Sequence, residues 1–127
     1  MLDKRNFYIN GKWIEPSKKN DFEVINPSNE EICAIISLGS EEDINFAVKA
    51  AKNSFLTWSK TSKDERISLI ERLYEIYKLR WGEMAGSISE EMGAPIDWSN
   101  SAQTSSGAAH IKDFIKRLKN FQFESIF

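Results

Sequence analysis

The 127-residue sequence holds one cysteine, Cys33, and one histidine, His110. A lone cysteine excludes an internal disulfide framework and a multi-cysteine zinc site, and a chain without disulfides fits a reducing cytoplasm. A lone histidine with no paired nucleophile offers little to acid–base or covalent catalysis. No stretch approaches the ~20 apolar residues of a membrane helix. Met1 to Tyr8 carries Asp3, Lys4 and Arg5 with no apolar run behind them, so no signal peptide is read there. An excess of either charge is missing too: 17 basic against 19 acidic residues give a net charge of −2, which supplies no global field toward nucleic acid or an anionic membrane. Gly82, Gly86 and Gly93 match neither the dinucleotide fingerprint nor the phosphate loop, both of which need a strand directly before them and closer spacing.

What is present is ordinary globular material, 41% hydrophobic and 28% charged. The length is one domain's worth or less, and a chain of this size typically buries ~65–70% of its unfolded surface. Asn10-Gly11 between Phe7-Tyr8-Ile9 and Lys12-Trp13-Ile14 predicts a type I′ hairpin. Phe22 to Ile25 reads as a strand stopped by Pro27, and Ile32 to Ile36 as its return strand. The return strand does not alternate cleanly, which predicts cover on both faces and makes Cys33 a buried core cysteine with no cation nearby to stabilise a thiolate.

Residues 40–120 read as helices. Ser40 with Asp43 forms a capping box for a helix running to Trp58, whose stripe Ile44, Ala47, Val48, Ala51, Phe55 and Trp58 predicts one buried face. Ser62 and Glu65 cap a second helix, Lys63 to Leu79, whose apolar residues spread over more than one face and so call for two neighbours. Trp81-Gly82 is the expected break, followed by a helix Glu83 to Glu91 that ends at Gly93, with Pro95 beyond it. Asp97 is placed as the cap of a last helix from Trp98 to about Lys119. Its small, polar first half, Ser99 to Ala109, suits close backbone approach, and its second half carries Ile111, Phe114, Ile115 and Leu118. The segment Phe121 to Phe127 is unusually aromatic.

Other polar groups have plain structural readings. Adjacent helix residues point about 100° apart, so Glu90 and Glu91 make a solvated helix end rather than a carboxylate pair. Lys112, Lys116, Arg117 and Lys119 suit a helix C-terminus, although the same run could face an acidic partner or nucleic acid. Trp13, Trp58, Trp81 and Trp98 fall at element ends, where large rings seal contacts. No catalytic, cofactor-binding or metal-binding residue emerges.

A series of ordered motifs carries a resemblance. Phe7-Tyr8-Ile9-Asn10-Gly11-Lys12-Trp13 is followed by Val24-Ile25-Asn26-Pro27-Ser28-Asn29-Glu30, and then by Glu42-Asp43 leading through Ala47-Val48-Lys49-Ala50-Ala51-Lys52 to Phe55 and Trp58. Glu65-Arg66-Ile67 with Leu69 and Leu73, and Glu90-Glu91-Met92-Gly93-Ala94-Pro95, continue the series. Together they resemble the N-terminal portion of an aldehyde dehydrogenase, and the Glu-Met-Gly-Ala-Pro turn resembles a bacterial-type subgroup.

The resemblance implies an α+β fragment, two short hairpins over residues 1–38 and then about four helices over 40–120. In the α/β aldehyde dehydrogenase fold, residues 1–127 would be the N-terminal layer of the cofactor-binding domain. The implied chemistry is NAD- or NADP-dependent oxidation of aldehydes to carboxylates through a cysteine thiohemiacetal, with a glutamate activating the deacylating water. The family's Pro-Trp-Asn segment, cofactor-contacting lysine, oxyanion asparagine, glutamate, nucleophilic cysteine and oligomerisation arm all come later in its chains. None is carried by a residue here, and Cys33 does not match the catalytic position. In some members a monovalent cation rests partly on backbone carbonyls before the Asn-Pro turn, which correspond to Val24 and Ile25. The expectation is therefore a truncated or split cytoplasmic enzyme, inactive alone, binding no cofactor by itself, whose partner is the missing remainder rather than nucleic acid or membrane. The alternative is a stand-alone helical interaction or scaffold module derived from that fold.

Overall fold

Turn chemistry sets the first strands. The computed structural model describes residues 1–124. In it Asn10 and Gly11 adopt φ values of 53° and 77°, so both turn residues have the positive φ of a type I′ hairpin. They join β2 (Phe7–Ile9) to β3 (Lys12–Ile14), which pair antiparallel with Tyr8 opposite Trp13. The Tyr8 and Trp13 rings stack at a tilt, 5.2 Å apart.

β4 (Asp21–Asn26) and β5 (Glu31–Ser37) form the second hairpin. Its loop is tied by its own asparagines: Asn26 Oδ1 accepts from the Ser28 N–H and Asn29 Oδ1 from the Glu31 N–H. The Asn26 carbonyl accepts from Glu30 N–H at 2.8 Å, which holds Glu30 at a left-handed φ of 60°. β1 (Leu2–Lys4), absent from the sequence reading, pairs parallel to β5 to complete a sheet in the order β1-β5-β4. Three residues with mixed charge carry no strand signal of their own; the free edge of β5 recruits them.

The irregular pattern of β5 has a cause other than two covered faces. Val24 lies opposite Ala34 and Ile25 opposite Ile32, so Cys33 is the extra residue of a β-bulge. A bulge breaks the two-residue alternation. Cys33 is consequently half-buried rather than part of a core, and its Sγ donates to the Val24 carbonyl at 3.3 Å. Ile32 is 39% exposed.

Four long helices and one short one follow. α1 (Glu41–Trp58) and α2 (Lys63–Leu79) begin at the expected capping boxes of Ser40 with Asp43 and Ser62 with Glu65. α2 stops one residue before the expected break: Arg80 leaves the helix, and Trp81-Gly82 open α3 (Trp81–Met92) instead of interrupting it. α4 (Ile96–Trp98), a π turn (Ser99–Gln103) and α5 (Thr104–Asn120) run on without a side-chain cap. Asp97 is therefore not a cap. Pro95 has already set the helical start, and the Asp97 carbonyl accepts from Ser101 Oγ at 2.6 Å.

The chain divides into two compact units. One is Met1–Lys60 with Glu90–Gly93; the other is Thr61–Ser89 with the residues from Ala94 onward. In the first, Gly93 turns the chain at a φ of 67°, and a Cβ there would lie 2.8 Å from Pro27 Cγ and 3.0 Å from Ser28 Oγ. The Gly-Ala-Pro motif thus sets its glycine directly on the Asn-Pro turn. In the second, α5 lies along α2 and the small first half of α5 allows the close approach expected of it. A Cβ on Gly107 would run into the Tyr77 hydroxyl. At the other end Lys119 Nζ pairs with Glu71 and Lys63 Nζ donates to the Lys119 carbonyl. Phe121 and Phe123 meet edge to face 5.0 Å apart, with the Arg66 guanidinium over Phe123. The rest of the aromatic segment, 125–127, lies outside the described residues.

The core is thin. Ile67, Ala85, Ala108 and Leu118 are the buried hydrophobic side chains among the described residues. The stripe of α1 lies open. Ile44, Val48, Phe55 and Trp58 are 46–62% exposed, and α1 buries only Asp43. α2 likewise exposes Leu69, Leu73, Ile76 and Leu79 beside α5. Both helices have the apolar faces the sequence predicts, but not the cover.

Two outcomes follow. Gly93→Ala forces a left-handed β-carbon against Pro27 and is expected to lower stability by about 2 kcal/mol or more, measured by urea unfolding. Thr104 Oγ1 is buried without a hydrogen-bond partner, so Thr104→Val is expected to stabilise by about 1 kcal/mol in the same assay.

Candidate functional site

The groups with chemical potential are dispersed. Cys33 sits in the β5 bulge with its S–H directed to a backbone carbonyl. His110 is exposed on α5, and Glu90 and Glu91 are exposed at the end of α3. Asp113, one turn from His110, is held below the usual carboxylate range first by its hydrogen bond from Arg117 Nε and then by nearby positive charge. Half of the basic run on α5 is committed to pairs, Arg117 to Asp113 and Lys119 to Glu71. Among the described residues no three His, Cys, Asp or Glu side chains converge as metal ligands. Of the two carbonyls that the resemblance links to a cation, that of Val24 accepts from Cys33.

The strand-to-helix junction Ser37 to Glu41 is the place where an α/β fold would cradle a phosphate, and here its chemistry is reversed. The first turn of α1 carries Glu41, Glu42 and Asp43. The Asp43 carboxylate occupies the helix start itself, accepting from Ser17 N–H at 2.9 Å, Ser40 N–H at 2.8 Å and Ser40 Oγ at 2.7 Å. Ser17 Oγ and Ser40 Oγ close the ring at 2.7 Å. These bonds, led by that from the Ser17 backbone, lower the Asp43 pKa from 3.8 to about 2. An acidic, self-satisfied terminus repels a pyrophosphate. This helix start is therefore no cradle for a pyrophosphate.

What the chain does present is surface. In the first unit a shallow depression between β2 and the start of α1 is lined by Phe7, Ile9, Gly39, Ile44 and Ala47. In the second a groove along the end of α2 and the start of α3 is floored by Leu73, Ile76, Tyr77 and Met84 and edged by the Arg80–Glu83 ion pair. Trp13, Trp58 and Trp98 are 46–69% exposed. Trp81 by contrast donates its indole N–H to the Asn100 carbonyl. Sequence reasoning located the apolar residues but missed the Gly93–Pro27 junction; its signal is two turn motifs, each with a proline close by.

This order of hairpins, sheet and capped helices is shared with known enzymes. The sequence profile of the aldehyde dehydrogenase family matches residues 13–127. A 3-succinoylsemialdehyde-pyridine dehydrogenase from a Pseudomonas species is 41% identical over 125 residues, 98% of this chain and 26% of its own length. The crystal structure of an aldehyde dehydrogenase from Bartonella henselae superposes with a TM-score of 0.96 at 52% identity, over all of this chain and 27% of that one. A mutant of aldehyde dehydrogenase C from Pseudomonas syringae, complexed with NAD+ and octanal, superposes at 0.93 with 35% identity over 97% of this chain and 25% of its own. The architecture is thus that of the N-terminal part of a dehydrogenase fold. The chain belongs to the aldehyde dehydrogenase family. It spans about a quarter of the length of the relatives it matches.

A carboxylate with a depressed pKa stabilises the fold fully above its unfolded value and loses that contribution as pH falls through the folded one. For Asp43 the window runs from 3.8 down to about 2. Thermal melts should show wild type above Asp43→Asn at neutral pH, with the gap closing across that window.

Proposed function

We propose that this chain is the framework part of an NAD(P)-dependent aldehyde dehydrogenase and has no activity alone. It contributes the N-terminal hairpins and capped helices of the cofactor-binding domain, while the cysteine, the glutamate and the dinucleotide contacts reside in sequence that it does not contain. The observation that carries this reading is the mismatch between a well-capped frame and its apolar faces. α1 is fixed at its start by a capping box and by bonds to Ser17 yet leaves Ile44, Val48, Phe55 and Trp58 open. Burying such side chains is worth about 1.5–3 kcal/mol each, so a frame that leaves four exposed is built for cover.

The cover is the remaining three quarters of the enzyme, and NAD is the cofactor expected for the whole, since a relative is complexed with NAD+. The substrate class is aldehydes. No helix of the described residues is long and apolar enough to cross a membrane, and with one free cysteine a cytoplasmic enzyme is the reading we favour. Pairing of Arg117 and Lys119 within the chain commits half of the basic run and weighs against a nucleic-acid face. The exposed stripes equally disfavour a self-contained scaffold module.

The assay is direct. Purified 127-residue chain with NAD or NADP and a panel of aliphatic and aromatic aldehydes should form no reduced nicotinamide. Addition of a separately produced remainder of a close relative should restore turnover. Turnover by the chain alone overturns the proposal.

A further inference from the structure

The segment Ser99 to Ser106 holds four serines, and the structure gives them a common task. A π turn closes i→i+5 and so contains one residue more than an α-helical turn; here the Thr104 N–H reaches back to the Ser99 carbonyl. Carbonyls in and around the widened turn are met by side chains. Ser101 Oγ donates to the Asp97 carbonyl, Ser105 Oγ and Ser106 Oγ to that of Ala102, and Ser99 Oγ to Gln103 Oε1. Two aromatic donors from outside the segment complete the set. Trp81 Nε1 donates to the Asn100 carbonyl at 3.0 Å, and Tyr77 Oη to the Thr104 carbonyl at 2.9 Å. Their rings meet edge to face 6.1 Å apart, and the Tyr77 hydroxyl lies directly over Gly107.

The extra residue decides which side chains are buried. Ser99 and Thr104 are both fully buried, and Ala108 and Leu118 lie on the same buried side of α5. In a regular α-helix residues five apart point about 140° away from each other, so Ser99 and Thr104 could not share one buried layer. A turn that closes on the fifth residue brings them to the same face.

We propose that the Ser99–Gln103 π turn is a register device and that Tyr77 and Trp81 are the positioning residues that hold it open. They fix which face of α5 lies against α2 and which it turns outward. A collapse to regular α-helix would rotate α5 by about 100° relative to Trp98 and take either Ser99 or Thr104 out of the buried layer.

Amide hydrogen exchange on the 127-residue chain tests this. Trp81→Phe with Tyr77→Phe keeps an aromatic ring at each position and removes both donors. Exchange at residues 99–105 should accelerate by about tenfold or more while the amides of α1 stay unchanged. Deleting Ser101 from that double variant restores four-residue spacing between the two buried positions, which a regular helix accommodates, so protection should return. Unchanged exchange in the double variant, acceleration spread equally over α1, failure of the deletion to restore protection, or absence of protection at 99–105 in the wild type would each overturn the proposal.

Discussion

The Asp43 carboxylate is the constraint on which the first unit depends. It accepts from the backbone and the hydroxyl of Ser40 at the start of α1 and from the backbone of Ser17, far upstream. One side chain therefore caps a helix and pins the loop between β3 and β4. Capping aspartates are usually exposed; this one is 7% exposed, because the loop it binds also covers it. The negative charge that stabilises this corner also makes the start of α1 unsuitable for a phosphate.

The elements legible in the sequence were those coded locally. Asn10-Gly11 dictates its own turn, Ser40 with Asp43 and Ser62 with Glu65 dictate their own helix starts, and Gly93 dictates its own stop. What escaped reading depends on partners distant in sequence. β1 exists because β5 offers an edge. The Cys33 bulge is a matter of register between two strands, which no single-strand pattern encodes. The π turn receives hydrogen bonds from Trp81 and Tyr77 of other helices, and the expected cap at Asp97 is displaced by a helical start already set at Pro95. Of a site, nothing was readable from individual residues; the functional reading rested on motifs recognised in order.

Apolar periodicity states which face is to be buried and not what buries it. The stripe on α1 and the broad surface of α2 are correct as patterns, and both lie largely open. In a self-contained domain of this mass the same side chains would contribute most of the stability. Here they lie open, and the frame's close contacts are hairpin turns, capping boxes and the pairing of α2 with α5.

The seat of Gly93 on Pro27 and Ser28 has a consequence in time. The Asn26 to Glu30 loop can close within microseconds of its two strands being available. Its contact with Gly93 forms only when the end of α3, encoded far downstream, folds back upon it. During synthesis the hairpin thus emerges early and waits for its contact with Gly93 until α2 and α3 have been made. The order of translation is opposite to the order of need, and the asparagine side chains that tie the loop internally are what keep its shape through the interval.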